Sequence, residues 1–212
     1  MDVAAFLGPI LELAQTPIGA FQCPSDSEAV QGGRLDTSRD DWGPGEHDNW
    51  VWRSGMASHH YQGCMGSNYG FGGFNYITTQ GRNAYETHGY VYPAGAFGRN
   101  NVLGGDRMHV TRLRDITDGT SNTFAIGEVL PSWTRWTGWV SWNATVKSAA
   151  IPLNLYKAYG ASDQRTFARN WQIAYGFSSR HPGGAQFALC DGSVRFVADT
   201  TAMNVYRAMG TI

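Results

Sequence analysis

Gln186-Phe187-Ala188-Leu189-Cys190-Asp191-Gly192-Ser193-Val194-Arg195-Phe196-Val197 holds two alternating runs on either side of an Asp-Gly pair. Asp-Gly favours a two-residue type I′ turn, in which both central residues take positive φ. A turn at 191–192 pairs Cys190 with Ser193, Leu189 with Val194, Ala188 with Arg195 and Phe187 with Phe196. Side chains alternate faces along a strand. This register therefore puts Phe187, Leu189, Val194 and Phe196 on one apolar face, with Ala188, Cys190, Ser193 and Arg195 on the other. An antiparallel hairpin is expected, with Cys190 beside its turn.

Working outward, Thr200–Met209 reads as a short helix with Met203, Val205, Tyr206 and Met209 apolar and Gly210 ending it. On the other side, Thr123–Val129 reads as a strand, and aromatics and glycines alternate irregularly from Val51 to Phe97, as short strands joined by glycine turns do. Residues 22–49 form a long polar loop. Asp2–Ala14 has a helical apolar pattern, with Pro9 predicting a break inside it. No repeat or linker marks a boundary. The expected organisation is one domain over 1–212, with a helical N-terminal remnant at 1–20 and a β-rich body at 21–212. The fold class is α+β: an antiparallel, β-dominated domain with a C-terminal hairpin and short helix. A β-sandwich is the alternative.

Composition narrows the function classes. Lys plus Arg (16) nearly balance Asp plus Glu (17), and only Lys147 and Lys157 are lysines. No basic stripe is present to track a phosphate backbone, so nucleic acid is not an expected partner. The longest apolar stretch, Val3–Ala14, is interrupted by Gly8, Pro9 and Glu12. It falls short of the roughly 20 residues of a spanning helix and has no basic leader, so no membrane segment is expected in the chain. Abundant Gly (27) with 8 Trp, 10 Tyr and 10 Phe suits short strands and tight turns. The three cysteines form no CxxC pair. Cys23 and Cys64 both lie in loop-like sequence, so either a Cys23–Cys64 disulfide or three free thiols fits.

His181, nine intervening residues and Asp191-Gly192 make an H-x9-DG pattern within FSSRHPGGAQFALCDGSVRFV. Three further stretches accompany it in order: FQCPSD at Phe21–Asp26, SNYG after Cys64, and DITDGTSNTFAIGE at Asp115–Glu128. Together they resemble the prepilin-type processing-associated H-x9-DG proteins, a family of unknown function numbered 1559. The resemblance covers the chain from about residue 21 to its end. It implies a pilin-like or pseudopilin-like protein of the bacterial cell surface, exported with a leader and a hydrophobic helix. It brings no catalytic activity, and some members carry solute-binding-like labels. The sequence departs from the family pattern at its start, where the leader and long helix are not seen.

The signature residues His181, Asp191, Gly192, Asp118, Gly119 and Glu128 are read as structural. His181 and Asp191 suggest an acid–base pair, yet turn chemistry already accounts for Asp191 and Gly192, and His181 opens a His-Pro-Gly-Gly bend. Asp118 and Asn122, in Asp118-Gly119-Thr120-Ser121-Asn122, offer oxygens suited to calcium, while lacking the distal Glu of an EF-hand. Asx-turn hydrogen bonds explain the same residues. Asp36, Asp40, Asp41, Glu46 and Asp48 read as a solvated acidic loop. His47, His59 and His60 do not have zinc-site spacing. With no G-x-S-x-G elbow and no phosphate loop in the sequence, no enzyme, no catalytic residue and no required cofactor are expected.

Trp133, Trp136, Trp139 and Trp142 recur every third residue. Neither a strand nor a helix holds all four on one face. Most belong in a core, and any that face outward are candidates for a subunit contact or a glycan platform. Two functions are expected from these features. The first is a non-enzymatic extracellular surface subunit assembling with copies of itself into filaments. The second is a carbohydrate- or solute-binding module using exposed aromatics and calcium.

Overall fold

The computed structural model describes residues 11–26, 55–67, 69–70, 73–74, 94–98, 110–134, 137–139, 146–160, 162, 167, 170 and 172–212. Its centre is a five-stranded sheet built from β1 (Tyr61–Cys64), β2 (Phe124–Glu128), β3 (Val146–Lys147), β4 (Gly184–Leu189) and β5 (Val194–Ala198), in the order β3-β1-β2-β4-β5. Every neighbouring pair is antiparallel except β1 with β3, which run parallel through Gly63↔Val146 and Cys64↔Lys147. Helix is scarce: α1 (Leu11–Ala14), α2 (Met203–Met209) and 3-10 turns at Gly19–Phe21, Leu113–Asp115 and Leu155–Ala158. The described part is thus β-rich with a small helical fraction, in one mostly antiparallel sheet. Among the described residues no helix is long and apolar enough to cross a membrane.

The C-terminal hairpin forms where the sequence places it, with a different turn. The register is Ala188↔Val194, Phe187↔Arg195, Gln186↔Phe196 and Ala185↔Val197, one residue away from the expected pairing. Three residues, not two, make the loop. The Gly192 N–H donates to the Leu189 carbonyl (2.9 Å) and the Leu189 N–H to the Ser193 carbonyl (2.8 Å). Only Gly192 has positive φ (86°), and Asp191 is not among the positive-φ residues. This is a type I turn closed by a left-handed glycine. Asp191 Oδ1 accepts from the Ser193 N–H (2.9 Å) and Oγ (2.7 Å), which holds the carboxylate inside the turn.

A one-residue slip moves every side chain of a strand to the other face. Ala185, Phe187, Leu189 and Val197 are the buried set, whereas Val194 and Phe196 are 68% and 44% exposed. On the inner face, Phe124 stacks on Phe187 (centroids 4.2 Å apart), Phe177 meets Phe187 edge-on (5.0 Å), and α2 lays Tyr206, Met203 and Met209 over them. A Cβ on Gly127 would collide with the rings of Phe177 and Phe187, so only glycine lets β2 approach them. A second cluster, Leu130, Trp133, Tyr156, Phe167, Ile173 and Ala174, lies under the loops that follow β2 and β3.

Candidate functional site

The site grows from the ends of β2 and β4 and from the segment 19–26. The 3-10 turn Gly19–Phe21 is pinned to the chain before β1 by the His60 N–H, which donates to the Phe21 carbonyl (2.8 Å). Cys23-Pro24-Ser25-Asp26 then closes a turn, its Asp26 N–H donating to the Cys23 carbonyl (3.2 Å). This turn points two side chains inward in different directions. Cys23 meets Glu128, the last residue of β2, and His181, three residues before β4.

Cys23 Sγ lies 3.6 Å from Glu128 Oε1 and 3.8 Å from His181 Nε2, and His181 Nε2 lies 3.2 Å from Glu128 Oε1. Cys23 and Glu128 are buried, and His181 is partly open. The outward atoms are occupied as well. Glu128 Oε2 accepts the backbone N–H of Gln186 (2.7 Å), and His181 Nδ1 lies 3.5 Å from Ser25 Oγ. Burial pushes the Cys23 thiol above its ordinary value, and the Glu128 charge adds to this against the Ser25 backbone N–H. The Tyr61 phenol, beside the same thiol, is pushed up to about 12, mainly by burial. Among the described residues, Cys23, Glu128 and His181 are the group of His, Cys, Asp and Glu side chains placed to hold a metal ion.

Asp26 turns the other way. Its Oδ2 lies 3.2 Å from His60 Nε2 in a nearly fully buried pair, and its Oδ1 lies 3.6 Å from Arg180 Nε. The Arg180 guanidinium also sits 5.7 Å from the Tyr156 ring centroid. One short turn is therefore clamped by two adjacent polar networks.

The remaining signature residues lie at the far end of β4, which at six residues spans roughly 20 Å. There the Cys190 and Asp191 N–H groups donate to the Thr123 (2.9 Å) and Thr120 (3.1 Å) carbonyls, so the Asp118–Asn122 loop docks on the hairpin turn. His181 and Asp191 are thus not brought together. Asp118 and Asn122 are exposed and serve the loop itself: Asn122 Nδ2 donates to the Asp118 carbonyl (3.3 Å), and the Asn122 N–H to the Gly119 carbonyl (2.9 Å).

Other expected residues are dispersed. Cys23 and Cys64 are free thiols in this structure. Cys23 faces Glu128, while Cys64 ends β1 inside the core with its Sγ 3.7 Å from the Gly210 carbonyl, so the two do not meet. Trp133 is a core residue rather than a surface contact: it is 5% exposed and packs against Tyr156 and Phe167, at 5.0 and 5.5 Å. Trp139 is half-buried. Trp136, Trp142, His47 and the acidic loop Asp36–Asp48 lie outside the described residues.

Sequence reasoning singled out Glu128 and His181 as structural signature positions but did not join them to Cys23. The signal was available, since each of the three resembling stretches FQCPSD, FAIGE and H-x9-DG contributes one of the three residues.

These features define a β-rich domain whose signature residues converge at two junctions along one strand. The chain belongs to the family described as protein of unknown function DUF1559, whose model matches residues 4–204. No curated protein and no solved structure matches it.

Proposed function

We propose that the chain is a non-enzymatic, extracellular subunit of a bacterial surface structure, pilin-like in its α+β plan, which assembles with copies of itself. The observation that carries this reading is an apolar row on the outer face of the sheet. Ile126, Ala188 and Val194 are cross-strand neighbours on β2, β4 and β5, and Phe196 lies two residues on from Val194 along the same face. Phe97 joins them by lying over Gly63, the β1 partner of Ile126. Ile126, Val194, Phe196 and Phe97 are all exposed. Scattered surface apolar residues need no explanation, whereas a contiguous patch marks an interaction surface. A second copy is the occupant that fits the family resemblance.

Negative-stain electron microscopy and light scattering across a concentration series test the proposal, with Val194→Lys/Phe196→Lys as control. Regular filaments or sheets that the double variant abolishes, at unchanged thermal stability, are the expected result. Monomers at every concentration overturn it and leave a carbohydrate- or solute-binding module, with or without calcium, as the reading to pursue.

A further inference from the structure

We infer that Cys23, Glu128 and His181 form a binding site for a divalent transition metal, Zn²⁺ being the ion whose chemistry fits. The inference does not depend on the assembly reading. Three segments far apart in the chain deliver one thiol sulfur, one carboxylate oxygen and one imidazole nitrogen to a single point. Those are the ligand types that borderline-soft Zn²⁺ selects, whereas calcium and magnesium take oxygen ligands.

The triangle also has the right size. Around a tetrahedral ion with Zn–S near about 2.3 Å and Zn–N and Zn–O near about 2.0–2.1 Å, the S···N and S···O edges are about 3.5 Å and the N···O edge about 3.3 Å. The structure has 3.8, 3.6 and 3.2 Å for these edges. A small relaxation of each side chain closes the difference.

The surroundings resemble the outer shell of a metal site, in which the second atom of each ligand is held by a neighbour. Glu128 keeps Oε1 for the ion while Oε2 accepts the Gln186 N–H. His181 keeps Nε2 while Nδ1 faces Ser25 Oγ. The neutral imidazole then carries its proton on Nδ1 and gives its Nε2 lone pair to the ion. The Cys23 thiol gives up its proton to solvent as the ion binds. His181, the most open of the three, marks the side from which the ion enters. Three protein ligands leave a fourth position for water or for a group from another molecule.

The test starts from chelator-stripped protein titrated with Co²⁺ and with Zn²⁺. One Co²⁺ per chain is expected, with strong visible absorption of a four-coordinate ion and a near-ultraviolet thiolate-to-cobalt charge-transfer band that Zn²⁺ displaces. Cys23→Ser removes the charge-transfer band, and His181→Ala weakens binding by about 100-fold or more, beyond the loss from an outer-shell change. If these variants do not fold, the wild-type chain still decides: Zn²⁺ raises its thermal midpoint with a concentration dependence that Mg²⁺ does not reproduce. Failure of the folded protein to take up Co²⁺ or Zn²⁺, a charge-transfer band retained in Cys23→Ser, or a thermal midpoint indifferent to Zn²⁺ each overturns the site.

Discussion

The backbone N–H of Gln186 donates to Oε2 of Glu128 at 2.7 Å, across the junction between β2 and β4. The last residue of one strand thereby satisfies an amide of the next with its side chain. A buried N–H left without an acceptor costs about 1–3 kcal/mol, and more when a charge network is broken with it. Glu128→Ala should therefore destabilise the fold by about 2–4 kcal/mol in urea unfolding. Glu128→Gln keeps an acceptor for Gln186 and should lose only about 1 kcal/mol. Equal losses for the two variants would show that the amide bond contributes little.

The hairpin register makes a sharper prediction. Val197 is buried against Ala185, whereas Val194 points outward. Val194→Lys should stay within about 0.5 kcal/mol of the parent, while Val197→Lys should lose about 3 kcal/mol or more because it buries an unpaired ammonium. Thermal melts of the two single variants check this. The two-residue turn favoured by Asp-Gly alone predicts the opposite order.

That contrast shows how far the sequence could be read. The hairpin, the strand ending at Glu128 and the C-terminal helix were all legible, because alternation and turn residues act over a few positions. The register was not. A two-residue turn needs Asp191 at positive φ, and Asp191 instead accepts hydrogen bonds from Ser193 while its own N–H docks on the Thr120 carbonyl. A tertiary contact chose the turn, and with it the face that Val194 and Phe196 occupy. The site was legible only in pieces, since Cys23, Glu128 and His181 are separated by intervals that no local periodicity links. The parallel pairing of β1 with β3 was hidden for the same reason.

Lys147 tests a different balance. Its side chain is fully buried, and its ammonium donates to Thr134 Oγ1 (2.5 Å) and to the Ala174 carbonyl (3.0 Å), 4.8 Å from the Tyr175 ring centroid. Removing the aliphatic stem leaves a cavity, so Lys147→Ala should lose about 2–4 kcal/mol. Lys147→Met keeps the volume and removes the need to desolvate an ammonium, so it should lose less than about 1 kcal/mol or gain stability. Guanidinium unfolding separates the two. A loss in Lys147→Met as large as in Lys147→Ala would show that the charge itself holds β3 to the loops.

Cys64 ties stability to alkaline pH. The thiol is fully buried beside Gly210, and burial pushes it up to about 12, from an ordinary value near 9. A group whose folded value is raised contributes stability that is complete below its unfolded value and is lost as pH rises towards the folded one. The buried Tyr206 phenol, also raised by burial, acts in the same direction at higher pH. The urea midpoint should therefore hold steady up to about pH 8.5 and fall above it. Cys64→Ala should flatten the first part of that fall while losing some stability at neutral pH from its small cavity. Alkylation at pH 8 gives a parallel reading: Cys190, partly exposed at the hairpin turn, should react in the native state, and Cys64 only on unfolding. A Cys64→Ala variant with the same alkaline profile as the parent would assign the fall to the other groups raised by burial, the Cys23 thiol and the Tyr61 and Tyr206 phenols.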